Sequence, residues 1–161
     1  MRMKLYFFRH GEAEPHELRE DFERQLTAEG RAETANAALV LAALKINPTR
    51  LYSSPRIRAR QTAEILAEKI GKSVEISERC DLHFNVHAVH DLLEGLNAHD
   101  DVMFVGHEPS LSMTLASLTG AALEMKKGGC ARVDLYPGTP LRGTLIWLLT
   151  PKIFNVLADK E

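Results

Sequence analysis

The chain has 161 residues, 45% of them hydrophobic and 26% charged, with 20 basic against 22 acidic side chains for a net charge of −2. That balance excludes a disordered or low-complexity protein, and it supplies no global positive field to gather nucleic acid or anionic lipid. The length suits one unit with an ordinary core, so residues 1–161 are expected to form a single domain.

Residues 3–8 form a short apolar and aromatic run that suits a buried strand. Residues 27–44 show helical spacing rich in Ala and Leu, with Thr27 placed to cap the first turn and Pro48 beyond the end. Residues 50–53 read as a second strand. A helix is predicted over 55–70: Pro55 sits near its first turn, Ile57, Ile65, Leu66 and Ile70 fall largely on one side, and Gly71 terminates it. Residues 73–76 are a third strand candidate, 87–96 a helix, 101–105 a fourth strand and 109–118 another helix. Gly128-Gly129 reads as a loop, 131–136 and 144–149 as strands, and a helical tail follows Pro151. Strands alternating with helices predict an α/β sandwich with a largely parallel sheet. The last two strands are joined by a short Pro/Gly turn region, so at least one edge is expected to be antiparallel.

Cys80 and Cys130 lie far apart in no CxxC pattern and read as small buried thiols, not as a disulfide scaffold. No apolar run approaches the roughly 20 residues that span a bilayer. The apolar start at residues 5–8 is too short for a signal-peptide core. The expected location is the cytoplasm, with no membrane and no nucleic acid as partner.

In open α/β sheets, ligands bind beyond the carboxyl ends of the strands. After the first strand come Arg9, His10 and Gly11. After the second come Ser53 and Ser54, then Arg56, Arg58 and Arg60 at a helix start. After the fourth come Gly106, His107, Glu108 and Pro109, again opening a helix. Each piece alone has a bland reading: a surface loop, a solvated helix face (expected for Arg56 and Arg60), a turn. Together, three of the four strands deliver His or Arg to one edge. Two His, two or more Arg and helix N-termini make a cationic pocket for an oxyanion, of which phosphate is the common one. A neutral imidazole can attack phosphorus while Arg donors stabilise the equatorial oxygens. The constellation fits phosphoryl transfer through a histidine nucleophile, with no metal and no cofactor.

Phe8-Arg9-His10-Gly11-Glu12 resembles the RHG signature of the histidine phosphatase superfamily. Leu26-Thr27-Ala28-Glu29-Gly30 resembles its L-T-x-x-G helix start, the segment from Ser53 to Ala63 its S-x-x-x-R-A-x-Q-T-A stretch, and Val105-Gly106-His107-Glu108-Pro109 its second-histidine motif. Four motifs in the family's order cover most of residues 4–118. The resemblance implies a phosphoglycerate mutase-like three-layer α/β/α sandwich with a sheet of about six strands, mostly parallel. It implies that His10 becomes transiently phosphorylated, that Arg9 and Arg58 bind the phosphoryl oxygens, and that His107 donates to them. Arg58 is preferred over its neighbours because it precedes the Ala of the Arg-Ala pair.

Relatives that act on sugar phosphates or phosphoglycerate usually carry insertions that wall in the substrate, and a carboxylate acid after the third strand. Here only about 25 residues separate strands three and four, which leaves no room for a lid. The short chain resembles the SixA-type phosphohistidine phosphatases, which act on phosphohistidine in phosphorelay domains. Glu78 and Asp81 lie near the usual acid position but in no clear motif. An alkoxide leaving group needs a proton, whereas a protonated imidazole leaves readily, so a missing acid favours phosphohistidine. The expected partner is a phosphorylated protein domain. The alternatives are a general small-molecule phosphomonoesterase and a non-enzymatic phosphate-binding module. A metal site from His83, His87 and His90 is a weaker competitor: His83 and His87 are spaced i,i+4, but no HExxH pattern accompanies them.

Overall fold

The computed structural model describes residues 2–160. The chain runs β1 (Lys4–Arg9), α1 (Ala28–Ala43), β2 (Arg50–Ser53), α2 (Ile57–Ile70), β3 (Val74–Ile76), α3 (Val86–Leu92), β4 (Val102–Gly106), α4 (Ser110–Thr119), β5 (Cys130–Leu135), β6 (Gly143–Leu149) and α5 (Pro151–Ala158). Two 3-10 turns, Asp21–Glu23 and Glu78–Cys80, stand in the loops after β1 and β3. The six strands form one sheet in the order β3-β2-β4-β1-β5-β6. The first four strands run parallel to one another, β5 pairs antiparallel with β1, and β6 antiparallel with β5.

Period-two alternation sorts the strand side chains between the layers. Tyr6 and Phe8 of β1 and Met103 and Val105 of β4 pack with Leu41 of α1, Leu66 of α2 and Phe154 of α5. Leu5, Phe7, Val102 and Phe104 point the other way, against Val89 of α3 and Leu111 and Leu115 of α4. The result is the expected α/β/α sandwich. Both thiols are buried in it. Among the described residues, no helix is long and apolar enough to cross a membrane.

Helix ends follow local chemistry. Thr27 caps α1, its hydroxyl accepting from Gly30 N at 2.9 Å. Gly30 is required for a close approach, because a Cβ there would stand 2.2 Å from the Glu12 carbonyl oxygen. Gly71 ends α2 at φ 71, in the left-handed region. The helix predicted over 87–96 is shorter, Val86–Leu92, capped by Asn85, whose side chain accepts from Ala88 N. Gly95, at φ 83, takes the chain out of helical geometry before residue 96.

Register fixes where the chemistry lies. Arg9 pairs with Gly106 across β1 and β4, and Ser53 pairs with Val105 across β2 and β4. The carboxyl ends of these three strands are therefore level. The turns that leave them open onto one shared edge.

Candidate active site

Arg9, His10, Arg58 and His107 come together at that edge. Arg9 is the last residue of β1, and the His10 N–H donates to the Gly106 carbonyl at 3.1 Å. Arg58 stands in the first turn of α2, and His107 directly follows β4. The two imidazole rings lie 5.2 Å apart, centroid to centroid. His10, Arg58 and His107 are all buried.

His10 Nδ1 is 2.7 Å from the Gly11 carbonyl oxygen, which can only accept. Nδ1 therefore carries the ring proton. Nε2 keeps its lone pair and faces the Arg58 Nε–H at 3.3 Å. Burial, then the neighbouring His107, Arg58 and Arg9, lowers the His10 pKa well below its usual 6.5, against a smaller opposing effect of the Gly11 bond. His107 is pushed down to about 3, first by burial and then by Arg58 and Arg56. Both rings are neutral at pH 7, and His10 holds an unprotonated nitrogen beside a guanidinium.

Arg9 donates from NH1 to the Met125 carbonyl at 2.8 Å. Its Nε and the Nδ1 of His107 are buried without a hydrogen-bond partner. An unpaired buried polar group costs roughly 1–3 kcal/mol. His107 Nε2 is 2.7 Å from Ser54 Oγ, and that oxygen accepts from Arg56 N at 3.2 Å.

A second ring of residues surrounds this floor. Arg58 NH1 donates to the Asp21 carbonyl at 2.8 Å, and its NH2 to Asp21 Oδ2 at 3.2 Å. Asp21 also accepts from Arg24 at 2.8 Å and from Arg56 at 2.7 Å. Burial alone would raise the Asp21 carboxyl, but the Arg24 hydrogen bond and Arg58 outweigh it and hold it below the usual carboxylate range. Deeper in, Thr62 Oγ1 accepts from Gly11 N at 3.1 Å while donating to the Arg58 carbonyl at 2.8 Å. Gln61 accepts from Leu26 N at 2.8 Å. The Gln-Thr pair of the third motif thus ties three chain segments together below the site.

Several expectations change. Arg56 is not on a solvated face: its Nε is 2.6 Å from Asp81 Oδ1, and it bridges Asp81 to Asp21. Arg60 is half-exposed beside Glu64, as expected. Of the two carboxylates considered as acids, Asp81 reaches the site, 3.9 Å from His107 Nε2, while Glu78 is exposed at the head of its 3-10 turn. α3 begins at Val86, so His83 precedes the helix and its i,i+4 pairing with His87 is not made. His90 is exposed beside Asp91. Among the described residues, no three His, Cys, Asp or Glu side chains converge on a common metal position.

Asp21 and the Met125 carbonyl are contributors that the sequence does not single out. Asp21 lies in a polar stretch with neither helical nor strand periodicity. Only its place between two recognised motifs hinted at a role.

The geometry can be set beside known proteins. The family model of the histidine phosphatase superfamily (branch 1) matches residues 5–85. An uncharacterized protein of Picosynechococcus sp. is 36% identical over 135 residues, covering 79% of this chain and 82% of that protein. The chain belongs to the histidine phosphatase superfamily. Two solved structures sharpen the place within it. The protein histidine phosphatase SixA complexed with tungstate superposes with a TM-score of 0.81 at 26% identity, covering 93% of this chain and 98% of that one. A structure from Agrobacterium tumefaciens assigned as a phosphohistidine phosphatase SixA gives 0.78 at 25% identity, covering 94% and 99%. Superfamily membership together with these SixA-like relatives makes the chain a phosphatase. The family match contains Arg9, His10, Arg58 and Asp81. His107 lies beyond it.

Proposed function

We propose that this histidine phosphatase is a metal-independent, cytoplasmic, single-domain phosphohistidine phosphatase that works through a phosphorylated His10. The observation that carries the reading is the pair of contacts on the His10 ring. Nδ1 is fixed on Gly11 O at 2.7 Å, so Nε2 presents its lone pair 3.3 Å from the Arg58 Nε.

In the first step the Nε2 lone pair attacks phosphorus. The bond from phosphorus to the leaving atom breaks, and its electron pair departs with that atom. Arg9, Arg58 and His107 bind the phosphoryl oxygens as charge spreads over them. Water then attacks phosphorus, the P–Nε2 bond breaks, its electron pair returns to Nε2, and phosphate leaves.

The leaving group separates the substrate classes. An alkoxide needs a proton, whose delivery is worth typically about 10²–10⁴-fold. Asp81 is the carboxylate beside His107, but it is engaged with Arg56 at 2.6 Å. That contact commits one of its oxygens to the guanidinium instead of to a leaving group. A protonated imidazole leaves without such help, so the reading favours phosphohistidine on a protein domain of a phosphorelay.

Asp81 also supports the second reading, a small-molecule phosphomonoesterase, since it stands within 3.9 Å of His107 Nε2. A matched assay with chelator present separates the two, comparing a domain phosphorylated on histidine with a panel of small phosphoesters. Faster loss of phosphate from the protein is expected, and Asp81→Asn is expected to leave that rate within a few-fold. A clear preference for an ester, lost in Asp81→Asn, would establish the second reading. Inactivity of the wild type on both substrates would leave a phosphate-binding module.

A further inference from the structure

Exposed apolar groups lie close to the residues that border the catalytic floor. On one side, in the loop after β1, Phe22 is exposed and lies under the Arg56 guanidinium, 5.6 Å from ring centroid to Cζ. Arg56 then crosses to Asp81, and the next residue, Leu82, is also an exposed apolar side chain. Leu82 opens a groove of about 400 Å³ between the start of α3 and the face of α4. Phe84, Val86, Pro109, Met113 and Thr114 line it, and His83 is its one titratable group. Met113 is 65% exposed although it stands on a helix whose inner face is fully buried. Pro109 joins the groove to the site, two residues after His107.

We propose that this groove and the Phe22 rim form the docking surface for the substrate protein, the groove receiving an apolar side chain beside the phosphohistidine. The inference rests on the phosphohistidine reading above. The reacting phosphorus must lie against His10 Nε2, beside His107, which Asp81 approaches within 3.9 Å. A phosphohistidine side chain that reaches there from a protein spreads the surrounding protein surface over the rim. A small ester held by its phosphoryl group has no part that covers both Phe22 and Met113. A lining with no Lys, Arg, Asp or Glu suits a neutral apolar insert, because a charged one would be desolvated without a partner. Exposed apolar groups gathered around a catalytic mouth are the usual mark of a protein contact.

The test uses Met113→Glu and Leu82→Glu, both at exposed positions outside the phosphate-binding floor, with Val156→Glu on the exposed side of α5 as a control. Two substrates are compared: phosphorelay phosphotransfer domains phosphorylated at histidine, and free phosphohistidine. Each groove variant is expected to lower kcat/KM on the protein at least tenfold while leaving free phosphohistidine within twofold, and the control is expected to change neither. Unchanged turnover of the protein in both variants would overturn the docking surface while leaving the phosphohistidine reading intact. An equal loss on both substrates would also overturn it, by placing these residues in the chemistry or the fold. Wild type active on esters but on neither phosphohistidine substrate would remove the parent reading and the docking surface together. Variants that lose a dimer present in the wild type, with protein turnover unchanged, would assign the groove to a second copy of this chain.

Discussion

The floor of the site and its mouth are built on different principles. The floor, Arg9, His10, Arg58 and His107, hangs from the level ends of β1 and β4 and the first turn of α2. Its backbone is fixed by sheet register and its side chains by burial. The mouth, Asp21, Arg56, Asp81 and Leu82, comes mostly from loops and 3-10 turns, joined by ion pairs at partly exposed positions. On the proposed mechanism the floor performs one reaction on any phosphoryl group that reaches it. The mouth decides which molecule brings that group in, so the two should respond to substitution in different ways.

The largest effect belongs to the floor. His10→Ala should reduce phosphate release by about 10³-fold or more on every substrate, since removing a nucleophile leaves only binding and electrostatics. Wild-type-like turnover in that variant would break the distinction at its root. Arg58→Ala should cost about 10²–10³-fold in kcat, the usual effect of deleting one oxyanion donor, and should weaken vanadate binding measured by inhibition. Asp21→Asn probes the seam between floor and mouth. It keeps the backbone carbonyl that holds Arg58 NH1 but weakens the contact to NH2, so a loss of about tenfold in kcat/KM is expected. Lysine at position 58 should fail to reproduce the wild-type response to Asp21→Asn, because only the guanidinium fork meets both acceptors.

The smallest effect is on stability. His10 and His107 have folded-state pKa values below the usual 6.5, well below for His10 and about 3 for His107. Between those values and 6.5 the unfolded chain binds more protons. The stabilisation is therefore complete above about pH 6.5 and is lost as pH falls toward the folded-state values, by at most about 1.4 kcal/mol per pH unit for each ring. Thermal melts between pH 6.5 and 5 should show Tm falling with pH, and His107→Gln should flatten the slope. An identical slope in that variant would show that the buried ring does not titrate as its surroundings require.

Sequence pattern reached the floor and stopped at the mouth. Apolar runs marked the strands, Thr27 and Gly71 marked helix ends, and the rule that ligands gather at strand ends placed Arg9, His10 and His107 together before any coordinates. Arg58 was separated from Arg56 by a family motif, not by physics, and that motif said nothing of what Arg56 does. Its bonds to Asp21 and Asp81 join positions 35 and 25 residues away along the chain. No local period encodes such contacts. The same holds for the Met125 carbonyl, 116 residues from the arginine it holds. α3 ends short of the expected residue 96 because only Leu93 and Leu96 carry the apolar spacing on, past a helix that ends at Leu92 and a Gly95 in the left-handed region.

On the proposed mechanism, the Nδ1 proton that His10 donates to the Gly11 carbonyl has a consequence for the lifetime of the phosphoenzyme. With Nδ1 occupied, phosphorus can bond only to Nε2, so a single positional isomer of the intermediate can form. The phosphorylated ring then carries both the proton and the phosphoryl group, which gives it imidazolium character and makes it a ready leaving group. One backbone carbonyl thus sets the regiochemistry of capture and keeps the captured bond weak, and the resulting intermediate is suited to rapid discharge to water instead of storage.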